Sequence, residues 1–176
     1  DFGNDPTKMA TVFANPDKAE ELKRLNDQFG DQADTFLGNL DKLDEFEELA
    51  TDFGNDPTKM ATVFANPDKA EELKRLNDQF GDQADTFLGN LDKLDEFEEL
   101  AVDFQGDATK MATVFANPDK AEELKRLNDQ FGDQADTFLG NLDKLDEFEE
   151  LAVDFQGDAT KMATVFANPD KAEELK

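Results

Sequence analysis

Carboxylates are the side chains in this sequence with the greatest capacity for chemistry. In "DKLDEFEE" (41–48), Asp41, Asp44, Glu45 and Glu48 stand at i, i+3, i+4 and i+7, a spacing that lines them along one face of a helix. Four carboxylates so placed raise the local negative potential and are candidates for holding Ca²⁺ loosely. A second group, Asp27, Asp31 and Asp34, surrounds the dipeptide Phe29-Gly30, and a turn wraps a cation better than a rigid helix does. Ca²⁺ sites gather about six to eight oxygens, often on a loop. The EF-hand pattern with its central glycine is absent from the sequence. The favoured reading of both groups is therefore solvated helix surface, with Asp31 as a helix N-cap. No cofactor is expected beyond the open Ca²⁺ reading.

Other chemistry is excluded by residue type. The chain uses fourteen kinds of amino acid and lacks His, Cys, Ser, Ile, Trp and Tyr. Without Ser, His or Cys there is neither a Ser-His-Asp triad nor a thiolate nucleophile. The usual zinc ligands are missing as well, which leaves only an all-oxygen metal site. Nothing resembles a base poised beside a Thr or Lys, and an enzyme is the least favoured class. There is no glycine-rich phosphate loop and no basic patch. With 18 basic against 44 acidic residues, the formal net charge is −26. Such a surface repels nucleic acid and anionic membrane. No stretch approaches the ~18 consecutive apolar residues of a membrane span.

The elements that must carry these residues repeat. "ANPDKAEELK" occurs at 14–23, 65–74, 116–125 and 167–176, a constant spacing of 51. Residues 1–50 and 52–101 are identical. The organisation is thus repeat 1 at 1–51, repeat 2 at 52–102, repeat 3 at 103–153 and a partial repeat 4 at 154–176. The expectation is a window on a longer array, with the true N-terminus outside it. Copies one and two read "DFGNDPTKM" where three and four read "DFQGDATKM". The Asp persists at 5, 56, 107 and 158 while its successor changes from Pro to Ala. Both suit the first helical position, where no N–H bond is required, so an Asp N-cap explains the exchange.

Each unit divides again, because residues 11–30 align with 35–54 at an offset of 24. Asp5-Pro6 starts a short helix with Met9, Val12 and Phe13 on one face. Asn15-Pro16 stops it and caps a longer helix carrying Ala19, Leu22, Leu25 and Phe29 in one stripe. Gly30 is expected to end that helix at positive φ. A second short helix presents Ala33, Phe36 and Leu37. Asn39 is expected to cap the last helix, with Leu40, Leu43, Phe46, Leu49, Ala50 and Phe53. Phe without Tyr or Trp indicates core rather than a ligand platform. Glu20 and Arg24 form an ordinary i,i+4 surface pair. No sustained period-two alternation is present.

The fold expected is all-α: a tandem helical repeat, an α-solenoid or rod of 51-residue period, each unit two pseudo-equivalent halves of short helix plus longer helix. Signatures of tetratricopeptide and ankyrin repeats do not appear. One unit cannot bury its own stripes, and stacking on neighbours solves this. Helices packed about 8–10 Å apart would advance each unit by roughly 20 Å. The function expected is a non-enzymatic structural repeat, a stiff acidic rod, stalk or filament segment of an extracellular or cell-surface protein. Its partners would be adjacent repeats and further copies in fibres, with no nucleic acid and no membrane insertion. The alternatives are a repeat module for a periodic or cationic ligand and a designed helical repeat protein. Near-invariant copies speak against recognition of one irregular partner, and many Asp and Asn residues within helices speak against idealised design.

Overall fold

In the computed structural model, residue 2 and residues 4–176 are described, and all regular structure among them is helical. The chain divides into two compact units, residues 1–91 and 92–176. The division falls inside the second 51-residue copy, between the short and the longer helix of its second half.

The first unit contains α1 (Pro6–Ala14), α2 (Ala19–Gln28), α3 (Ala33–Gly38), α4 (Leu43–Asp52), α5 (Pro57–Ala65), α6 (Ala70–Phe80) and α7 (Ala84–Gly89). Its longer helices α2, α4 and α6 pack in a row, α4 touching both neighbours. The short helices pair as α1 with α3 and α5 with α7. The second unit repeats the plan with α8 (Leu94–Asp103), α9 (Ala108–Ala116), α10 (Ala121–Phe131), α11 (Ala135–Gly140), α12 (Leu145–Asp154), α13 (Ala159–Phe166) and α14 (Ala172–Leu175). There α10 lies between α8 and α12, and α12 also meets α13 and α14. The expected halves of short and longer helix are present in both units.

Each short helix that opens a copy begins as the sequence dictates. Asp5 accepts hydrogen bonds from the backbone N–H of Thr7 and Lys8. Asp107 and Asp158 accept the same pair although Ala follows them instead of Pro. The conserved cap and the interchangeable successor are thus one mechanism.

The breaks between helices differ from expectation in three ways. Asn15 and Asn39 do not cap the helix that follows; neither side chain bonds forward. Their amides reach back and donate to the carbonyls of Thr11 and Thr35, at 2.9 and 2.8 Å. The last carbonyls of a helix have no intrahelical partner, and a short amide four residues on fills that need. Asp31 is likewise not an N-cap: it lies inside the 3₁₀ turn Gly30–Gln32, which no side chain caps. Gly30 does not take positive φ either, and its equivalents Gly81 and Gly132 sit at φ −50° and −52°. There the chain breaks one residue earlier, at the phenylalanine, and a 3₁₀ turn leads straight into the next helix.

Among the described residues, positive φ occurs only in the turn that opens each copy. Gly54 and Asn55 have φ of 62° and 58°, and in the later copies Gln105 and Gly106 have 55° and 69°. Both pairs make the same bonds, from the second residue of the turn to Ala50 or Ala101 at 2.7 Å. Glycine has moved by one position without changing the turn.

The apolar stripes meet between the rows. Phe64 of α5 stands against Phe29, Phe36 and Phe46, with ring centroids at 5.2, 5.1 and 5.3 Å in edge-to-face geometry. Phe166 of α13 stands against Phe131, Phe138 and Phe148 at 5.3, 5.1 and 5.4 Å. In both cases the fourth ring comes from the following copy. Such edge-to-face pairs add about 0.5–1.5 kcal/mol each beyond area burial. Phe13 departs from the all-core reading. It is 73% exposed where Phe64 is 4% and Phe166 5%.

Two alanine substitutions separate the glycine classes. Gly81→Ala should stabilise the chain by about 0.4–1 kcal/mol, since its φ suits alanine and nothing lies within 4 Å of the added carbon. Gly157→Ala, at φ +70°, should destabilise it by about 1–2 kcal/mol. Urea unfolding of the two variants measures both signs.

Candidate functional site

The charged side chains bind helices to one another. Arg24 of α2 grips Glu47 of α4 with two parallel bonds of 2.6 and 2.9 Å, and Arg126 grips Glu149 at 2.7 and 3.0 Å. This bidentate fork is the stronger form of ion pair. Glu20, the expected partner of Arg24, is present as a weaker contact at 3.3 Å. The short helices are tied by Lys8 to Asp34 at 2.8 Å, Lys59 to Asp85 at 2.9 Å and Lys110 to Asp136 at 2.8 Å. Lys59 and Lys110 also lie over the rings of Phe53 and Phe104, at 5.7 and 5.6 Å. Along the row of longer helices, Lys74 meets Glu48 and Lys125 meets Glu99, both at 3.2 Å.

Beneath these pairs lies a polar contact inside the packing. Asn77 of α6 is buried and donates to Asp52 at the end of α4 at 3.0 Å; Asn128 donates to Asp103 at 2.9 Å. A buried amide fixes register, since sliding the helices would strand it without an acceptor.

The candidate Ca²⁺ ligands are distributed along these ties. Asp27 pairs with Lys23 at 2.5 Å, Asp34 with Lys8, Asp44 with Lys18 at 3.4 Å and Glu48 with Lys74. Asp31 and Asp41 are exposed. Glu45 is half-buried, and one of its oxygens is buried without a hydrogen-bond partner, as are the matching oxygens of Glu96 and Glu147. Among the described residues, no three carboxylates converge in metal-ligating geometry. Helical spacing places Asp41, Asp44 and Glu48 on a common face, but two of them are drawn towards lysines of different neighbouring helices.

Two shallow grooves have volumes of about 440 Å³. One is lined by Arg126, Leu127, Gln130, Glu149, Val153 and Gly157. It holds the Arg126–Glu149 pair and no group poised as nucleophile or base. Among the described residues, no helix is long and apolar enough to cross a membrane. The sequence reading did not include the Asn–Asp contacts or the Arg–Glu forks. Their signal is a single Arg and a single stripe Asn in each full copy, with an acidic residue 23 or 25 positions away.

The site is therefore a network of ties. Comparison with protein-family models, with curated proteins and with solved structures finds no match for this chain.

The network has an alkaline limit. Hydrogen bonds to Asp34 hold the Lys8 ammonium above the ordinary value of 10.5, and Glu21 and Asp44 do the same for Lys18. For Lys74, Asp78 and Glu48 outweigh partial burial, which acts the other way. A raised folded-state value gives stability that is fully present below the unfolded-state value and lost as pH rises through the folded one. Thermal unfolding followed by circular dichroism should therefore show a level midpoint from about pH 8 to 10 and a decline above about 10.5. The decline should be modest because these pairs are exposed. An unchanged midpoint at about pH 11.5 would contradict the assignment.

Proposed function

We propose that this chain is a non-enzymatic structural repeat, an acidic helical rod, stalk or filament segment of an extracellular or cell-surface protein, whose task is to hold distance. The observation that carries this reading is the recurrence of one joint. Phe64 closes the ring cluster of the copy before it, and Phe166 does so again with centroid distances matching within 0.1 Å. A joint that repeats without variation adds length without adding a new surface. The carboxylates support the same reading, since Asp34, Glu47 and Glu48 are engaged with lysine or arginine and, among the described residues, no Asp or Glu is fully buried. An outward acidic excess keeps such chains apart from one another and from anionic surfaces.

Small-angle scattering on monomeric protein tests the proposal. A compact chain of 176 residues has a radius of gyration of about 16 Å. The rod requires a value above about 20 Å, growing linearly as 51-residue copies are added at the spacing of packed helices. A value near the compact figure, rising only slowly with added copies, would refute it.

A further inference from the structure

Two grooves recur beside the ring clusters, each inside one compact unit. The first, of about 260 Å³, is lined by Gln28, Phe29, Asp31, Gln32, Ala61 and Phe64. The second, of about 290 Å³, is lined by the corresponding positions two 51-residue copies later, among them Phe131, Asp133 and Phe166. Phe29 and Phe131 are half-buried, whereas Phe36, Phe46 and Phe64 are buried. Gly30 and Gly132 line the same grooves, and nothing lies within 4 Å of a carbon added at either. The space over the 3₁₀ turn is therefore open. The one charged residue in the lining is Asp31 or Asp133. Both are exposed, and among the described residues neither side chain has a hydrogen bond or ion pair. Their neighbours Asp27 and Asp34, in contrast, are drawn to lysines.

We infer that each groove is a binding site for one arginine side chain of a partner polypeptide. An unpaired carboxylate in a chain of net charge −26 selects a cation. A guanidinium also matches the rest of the lining. Its plane stacks on an aromatic ring, and its five N–H donors engage a carboxylate and an amide oxygen together. Gln28, which is exposed, offers such an oxygen. Gln32 is held in place by the Thr35 hydroxyl, which donates to it at 3.4 Å. Both volumes fall below the about 300–1,000 Å³ of small-molecule sites, which suits a single side chain rather than a whole ligand. Arg24 and Arg126 of this chain are committed to Glu47 and Glu149, so the arginine comes from another polypeptide. Because the two grooves share one lining, a partner with recurring arginines fills more than one of them.

This site goes beyond the rod and does not depend on it, since each groove is built inside one compact unit. Nα-acetyl-arginine amide titrated into the full chain at about 0.15 M salt, with NMR detection at the backbone amides of Gly30 and Gly132, tests it. Both signals should shift and saturate. Nα-acetyl-citrulline amide, which keeps the shape and lacks the charge, should leave them in place. Asp31→Asn, Asp82→Asn and Asp133→Asn combined remove this carboxylate from each full copy and should weaken binding by about 10-fold or more. The same number of charges removed by Asp17→Asn, Asp68→Asn and Asp119→Asn, at exposed positions outside the grooves, should change it by less than about 2-fold. Circular dichroism checks that both triple variants keep the native helix content. Equal weakening in the two variants would reduce the attraction to net charge and overturn the site. Unmoved glycine signals with the arginine probe, or equal shifts with citrulline, would overturn it as well, and the rod would still stand or fall on its scattering test.

Discussion

One contact organises this molecule: the ring of Phe64 or Phe166 set edge-on among three rings of the copy before it. In both clusters three phenylalanines come from one 51-residue copy and the fourth from the next, so neither cluster is completed by the residues of a single copy. The helices are too short to rely on propensity, since isolated helices of fewer than about 12–15 residues are marginal in water. Their stability therefore comes from burial, and burial is completed only by the next copy.

Electrostatics is fitted around that contact. A net charge of −26 opposes compaction through self-repulsion. Several of the 18 basic residues offset this on carboxylates of neighbouring helices, among them Lys8, Arg24, Lys59 and Lys74. Arg24 and Arg126 each bind a glutamate with both arms. The buried Asn77 and Asn128 add direction to packing that phenylalanine and leucine alone would leave free to slide. Apolar rings supply the larger energy, and the polar ties select the register.

The sequence disclosed the parts of this design that are local or periodic. The 51-residue spacing, the all-α class, the Asp caps and the stripes of Leu22, Leu43, Phe46 and Leu49 all follow from neighbours within a few positions. Local reading failed where two local solutions compete. Gly30 offers a left-handed stop, yet the chain breaks at Phe29 so that its ring reaches Phe64. Asn15 and Asn39 offer forward caps, yet the stronger need is the unsatisfied carbonyl behind them. The Arg24–Glu47 and Asn77–Asp52 contacts span 23 and 25 residues, and no local rule selects one acidic partner among many. The candidate Ca²⁺ ligands show the same limit: helical spacing fixes the face of a carboxylate, while the lysine that engages it comes from another helix.

The shared ring cluster is tested most directly by unfolding free energies of two single substitutions of identical chemistry, Phe64→Ala and Phe13→Ala, in the full chain. Phe64→Ala should cost about 3–5 kcal/mol, as expected for a large side chain removed from a closed core. Phe13→Ala should change stability by less than about 0.5 kcal/mol, as for a surface position. Equal losses at the two sites, or a negligible loss at Phe64, would contradict the account.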